Sequence, residues 1–167
     1  EDFGPRSLAS FAWACAALAY GGGAPLLGEV APQISARLAE FAAQELSSAA
    51  WSFARLPLGE APCLAAVFSL APPRVAAGEF ATQELANVHW ASAALRWRDD
   101  ALLGALSAAS QAAAPECRTE ELAAMLWSLA ALASPDAPLL STLDAALTRR
   151  AGQLDPRTLA SALWAVA

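Results

Sequence analysis

Phe41-Ala42-Ala43-Gln44-Glu45-Leu46-Ser47-Ser48-Ala49-Ala50-Trp51-Ser52-Phe53-Ala54 decides the fold, because the chain repeats its pattern. Trp51 has counterparts at Trp13, Trp90, Trp127 and Trp164, at intervals of 38, 39, 37 and 37 residues. Five positions before each tryptophan stands a leucine: Leu8, Leu46, Leu85, Leu122 or Leu159. Three positions after each stands an alanine: Ala16, Ala54, Ala93, Ala130 or Ala167. Ten positions before are Phe3, Phe41, Phe80, Cys117 and Leu154. Self-similarity at a fixed period of this length is the mark of stacked supersecondary units.

Each unit reads as two helices. In the first, helix A, the leucine, the apolar residues just before the tryptophan and those after it follow helical spacing. The tryptophan forms a second stripe with the small residues at −4 and +3. Two apolar stripes predict an inner helix covered on two sides, with the tryptophans as core knobs. Helix B starts at an acid followed two places later by Pro or Ala, as in Glu60-Ala61-Pro62, Asp99-Asp100-Ala101 and Asp136-Ala137-Pro138. Such an acid caps the helix, and Pro is tolerated in the first turn. In the first copy Gly21-Gly22-Gly23 replaces the acid and reads as a flexible turn. Pro72-Pro73 is expected to end or kink the second helix B near Ala71. The predicted helices are 5–19 and 25–40, 43–56 and 61–79, 82–96 and 100–114, 119–133 and 137–152, with a lone helix A at 156–167.

These nine helices predict an all-α fold: an α-solenoid of about four and a half two-helix units, forming one array over 1–167. The units run about 3–40, 41–79, 80–116 and 117–153, with a partial 154–167. A single unit cannot bury its own apolar face, so stacking supplies the core. The chain starts at Glu and stops mid-unit at Ala167, leaving Leu163, Trp164 and Val166 to be covered. The expectation is a fragment of a longer chain, or an end sealed by a partner.

Composition excludes other classes. Ala supplies 46 and Leu 26 of 167 residues, and both favour helix over strand. The 57% hydrophobic content is far too high for a disordered chain. The ten basic residues are all Arg; with sixteen acids the net charge is −6, which argues against unaided gripping of a phosphate backbone. Cys15, Cys63 and Cys117 are odd in number and widely spaced, so they read as buried or free thiols in a reducing compartment. The longest uncharged run, between Arg6 and Glu29, is broken by glycines and Pro25, leaving an apolar helix of about 13 residues, short of a membrane span. No targeting peptide is visible.

Three segments resemble a known family. They are Phe41–Ala54, Phe80-Ala81-Thr82-Gln83-Glu84-Leu85-Ala86-Asn87-Val88-His89-Trp90, and Leu154-Asp155-Pro156-Arg157-Thr158-Leu159-Ala160-Ser161-Ala162-Leu163-Trp164-Ala165. They look like octotricopeptide-type repeats, units of about 38 residues found in chloroplast and mitochondrial proteins of algae and related protists. The family's Pro before Gln-Glu-Leu is kept at Pro5 and Pro156 and replaced at Ala43, Thr82 and Thr119. The resemblance implies an α-solenoid, an organellar location and, commonly, RNA binding.

Catalysis lacks parts. His89 is the only histidine, which leaves metal clusters and His-based triads incomplete, and packing or a surface position is its simplest role. No cofactor or metal is expected, nor enzymatic activity. Glu120-Glu121 and Asp99-Asp100 are explained by helix starts. What remains is recognition. Offsets −7, −3, +1 and +4 from each tryptophan give a polar ladder of Arg6, Ser10, Gln44, Ser48, Ser52, Arg55, Gln83, Asn87, Glu120, Ser128, Arg157 and Ser161. Helical-repeat RNA readers use such side chains, one base per unit. Trp97 lies outside the register, in Arg96-Trp97-Arg98, and reads either as a Trp folded over its own turn or as an exposed hot spot for protein or a base-stacking site. The expected function is a scaffold docking on protein subunits of a larger organellar complex, soluble or peripherally attached. The alternative is organellar RNA binding in RNA processing, stability or translation. Neither DNA nor a membrane span is expected.

Overall fold

The computed structural model describes residues 3–18, 23–56 and 62–166, excluding the side chains of Pro62 and, within the last helix, of Arg157, Ser161, Leu163, Ala165 and Val166. Among the described residues there are nine α-helices and no strand. They are α1 (Pro5–Ala17), α2 (Gly23–Arg37), α3 (Ala43–Arg55), α4 (Pro62–Ala76), α5 (Thr82–Ala94), α6 (Asp100–Ala113), α7 (Thr119–Ala131), α8 (Ala137–Thr148) and α9 (Pro156–Val166). The odd-numbered A helices pack side by side in chain order from α1 to α9, and the even-numbered B helices pack behind them from α2 to α8. This two-layer stack is the predicted solenoid, with helix ends within a few residues of the predicted ones.

Local chemistry explains why the helices start and stop where they do. The Oδ1 atoms of Asp99 and Asp136 accept from the backbone N–H of Leu102 at 2.7 Å and Leu139 at 3.1 Å, capping α6 and α8. The Glu60 cap and the Gly21-Gly22 turn lie outside the described residues. In two units the Glu before the repeated leucine reaches back one turn: Glu45 accepts from the Ala42 N–H at 2.9 Å, and Glu121 accepts from the Arg118 N–H at 2.8 Å. At their C-termini α5 and α7 close in Schellman turns. Trp97 N–H donates to Ser92 O, and Ser134 N–H to Leu129 O. These turns place Arg96 at φ 53° and Ala133 at φ 45°, in the left-handed region where a Cβ is penalised. Ala133→Gly is therefore expected to stabilise the protein by about 0.5–1 kcal/mol, seen as a rise in melting temperature of roughly 2 °C. A fall in melting temperature would show that the turn is not strained.

Packing bears on two expectations. Pro72 and Pro73 sit inside α4, which runs on to Ala76 without ending at Ala71. Two consecutive prolines remove two ladder donors, yet Val67, Phe68 and Ala71 on one side and Val75 on the other are all buried in the same core. Keeping both flanks in that core offsets the lost bonds. Gly23 belongs to α2 and is buried against α1; a Cβ there would come within 2.8 Å of Cys15 O. Its role is close approach of two helices.

The core lies between the layers and between neighbouring A helices. Leu8, Leu46, Leu85 and Leu122 are all buried there. His89 is 2% exposed, and its Nε2 lies 3.0 Å from Ser110 Oγ on α6, so the histidine ties its A helix to its B helix. All three cysteines are buried and free, and burial pushes the thiols of Cys63 and Cys117 up to about 11, which makes them poor nucleophiles. Among the described residues no buried side-chain nitrogen or oxygen lacks a partner.

Candidate functional site

Each inner A helix is flanked by two A helices and backed by the B layer, so one face is left to the outside. Residues 3.6 to a turn advance about 100° each, which puts offsets −7, −3 and +4 within about 60° of the tryptophan and offset +1 at about 100°. The exposed stripe therefore contains the tryptophan itself, and the +1 position points into the stack. The repeated tryptophans are accordingly not core knobs. Trp13 is 53% and Trp164 58% exposed, while Trp51, Trp90 and Trp127 are partly buried. Their rings form a row across neighbouring helices. Trp51–Trp90, Trp90–Trp127 and Trp127–Trp164 have centroids 6.0, 6.3 and 6.2 Å apart, with planes inclined by 39°, 24° and 30°. The small residues do the tight packing instead: Ala9, Ser47, Ala86 and Ala123 at −4 are buried. An indole cannot enter so close a helix contact, so it lies across the seam.

The polar ladder divides accordingly. Arg6, Ser10, Gln44, Ser48, Gln83 and Asn87 line one open cleft of about 330 Å³ beside Trp13, together with Glu45 and Glu84. Glu120 lines a second cleft, of about 500 Å³, with Trp90, Trp127, Asp155 and Thr158. Arg55 is exposed and places its guanidinium carbon 5.5 Å from the centroid of the Trp51 ring. Ser52 and Ser128, at +1, do not belong to the face. Both are fully buried, and their hydroxyls donate to Ser48 O at 2.6 Å and Ala124 O at 2.7 Å, one turn back. The side chains of Arg157 and Ser161 lie outside the described residues. Trp97 is not an exposed hot spot: it is partly buried against the core, its ring 5.3 Å from that of Phe68. Arg96 and Arg98 flank it, and Arg98 donates to Leu132 O in the next unit.

Several arginines hold the array together, a role the sequence reading missed. Arg37 Nη1 donates to Phe3 O and Arg74 Nη1 to Phe41 O, each at 2.6 Å. Arg150 donates to Cys117 O and Pro115 O. In each case the end of helix B is clasped to the start of helix A in the same unit. The signal was an arginine 23 or 24 residues after the tryptophan, present in three units and replaced by Ala113 in the third. Arg37 and Arg74 also pair with Glu40 at 2.8 Å and Glu79 at 2.7 Å, and Arg118 pairs with Glu121 at 2.8 Å. The Arg37 guanidinium holds the Glu40 carboxyl below the usual range, and Glu121 holds the Arg118 guanidinium above its own.

Among the described residues no group of three His, Cys, Asp or Glu could hold a metal ion. Among them, too, no helix is long and apolar enough to cross a membrane. Comparison with protein-family models and with curated proteins returns no match.

Proposed function

We propose that this helical-repeat array is a non-enzymatic scaffold that docks on protein through the exposed face of its A helices, within a larger organellar assembly. The observation that supports it most is electrostatic. Glu45, Glu84, Glu120 and Asp155 line the two clefts, and Arg6 is the one cation lining them among the described residues. Arg37, Arg74, Arg98, Arg118 and Arg150 are engaged with backbone oxygens or side chains of the chain itself. A phosphate backbone needs a basic track, and this face offers carboxylates around aromatic rings. The organellar location rests on the resemblance to octotricopeptide-type repeats.

RNA recognition is the second reading. It is favoured by the same resemblance and by the row of indoles, since bases stack on aromatic side chains. A gel-shift titration with single-stranded organellar RNA separates the two. Binding no tighter than about 10⁻⁴ M at physiological salt is expected, the weak end of non-specific nucleic-acid affinity. Tight, sequence-dependent binding that is lost on changing Gln44 and Asn87 would establish the RNA reading in its place.

A further inference from the structure

We infer that the A-helix face takes an extended protein segment carrying arginine at alternate positions. This deepens the docking reading above and rests on it. Three observations converge. First, the rings of Trp51, Trp90, Trp127 and Trp164 follow one another at 6.0–6.3 Å from one unit to the next. An extended chain places every second side chain on one side, about 6.6–6.8 Å apart, so successive same-side residues match successive indoles. Second, the row already carries the contact it would offer: the Arg55 guanidinium lies over Trp51 at 5.5 Å. Third, the cleft against Trp90 and Trp127 is lined by Glu120 and Asp155, and the cleft at Trp13 by Glu45 and Glu84 with Arg6 as its one cation, so carboxylates that complement cations predominate. Glu45 also caps α3 through Ala42 N–H, so its carboxylate is fixed in place. Guanidinium suits this site better than ammonium because it is planar, stacks on rings and can reach a carboxylate with its remaining donors.

The chemistry separates this partner from the other candidates. An apolar segment would use the rings but would displace water from the carboxylates without offering donors in its place, which is costly. A nucleic acid would bring phosphates next to those same carboxylates.

The test is fluorescence anisotropy with labelled eight-residue probes on the whole chain. The probes are an alternating Arg-Ser peptide, a block peptide of the same composition, an alternating Leu-Ser peptide, an alternating Glu-Ser peptide and oligo(U) RNA. The alternating Arg-Ser peptide is expected to bind best. It should lose at least about tenfold in affinity with Trp90→Leu/Trp127→Leu, and separately with Glu84→Gln/Glu120→Gln, far-UV circular dichroism confirming that each variant is folded. The glutamine pair leaves the indoles untouched, so it decides the matter if the leucine pair does not fold. Arg-Ser binding that ignores both pairs is unspecific charge attraction and overturns the inference, as does equal binding of the block peptide. Preferred binding of Leu-Ser, sensitive to the tryptophans but not to the glutamates, overturns the arginine partner and leaves protein docking standing. Tighter binding of oligo(U) than of any peptide overturns both.

Discussion

Leu85→Asp is expected to abolish the folded array. Leu85 is 1% exposed on α5, the central A helix, packed between α3 and α7. Truncation of such a residue to Ala costs about 2–5 kcal/mol through lost burial and the cavity left behind. Aspartate adds either an unpaired buried carboxylate or the free energy of protonating it at neutral pH, another several kcal/mol. The sum meets or exceeds the roughly 5–15 kcal/mol that holds an ordinary domain together. Position sharpens the effect. A stacked array is stabilised by nearest-neighbour contacts, so breaking the middle unit separates the units on either side of it. Far-UV circular dichroism should show most of the helix signal lost, while Leu85→Ala stays helical with a lowered melting temperature. A Leu85→Asp chain that melts like the parent would mean that α5 is not held between its neighbours.

The second large effect is on pH dependence. Burial drives the His89 imidazole down to about 4, against weaker opposing contributions from the Leu106 backbone and the Asp136 charge. In the unfolded chain the group titrates near its ordinary value of about 6.5. Between those two values the unfolded state binds the proton and the folded state does not, so stability rises with pH across the window. The contribution is therefore intact above about pH 6.5, is lost progressively as pH falls to about 4, and changes no further below that. Its full size is on the order of 3 kcal/mol. Denaturant titrations of the parent and of His89→Gln from pH 7.5 to 4 check this. Carboxylates titrate in both chains and cancel in the comparison, so the parent should lose the extra stability in that interval alone. Parallel curves would show that His89 is open to water.

The sequence alone determined the helices, their pairing into units and most of their ends. Those features depend on interactions within a few residues: the Ala and Leu preference for helix, the caps at Asp99 and Asp136, and a tryptophan period that no single-helix pattern could imitate. Which side of helix A faces outward was decided by tertiary packing. A helix with three covered sides shows apolar residues all round, so hydrophobicity no longer marks the buried side. Close contact between A helices accepted Ala9, Ser47, Ala86 and Ala123 and turned the indoles outward into a row of ring contacts. The same contact took in Ser52 and Ser128, whose hydroxyls are satisfied by the preceding turn and need no solvent. Trp97 was drawn in toward Phe68 by a Schellman turn whose left-handed residue, Arg96, gives no signal in the sequence. Pro72 and Pro73 stayed helical because the core on both sides of them outweighs two missing hydrogen bonds. In each of these cases the choice depended on how closely neighbouring units approach, and that distance is a property of the assembled stack.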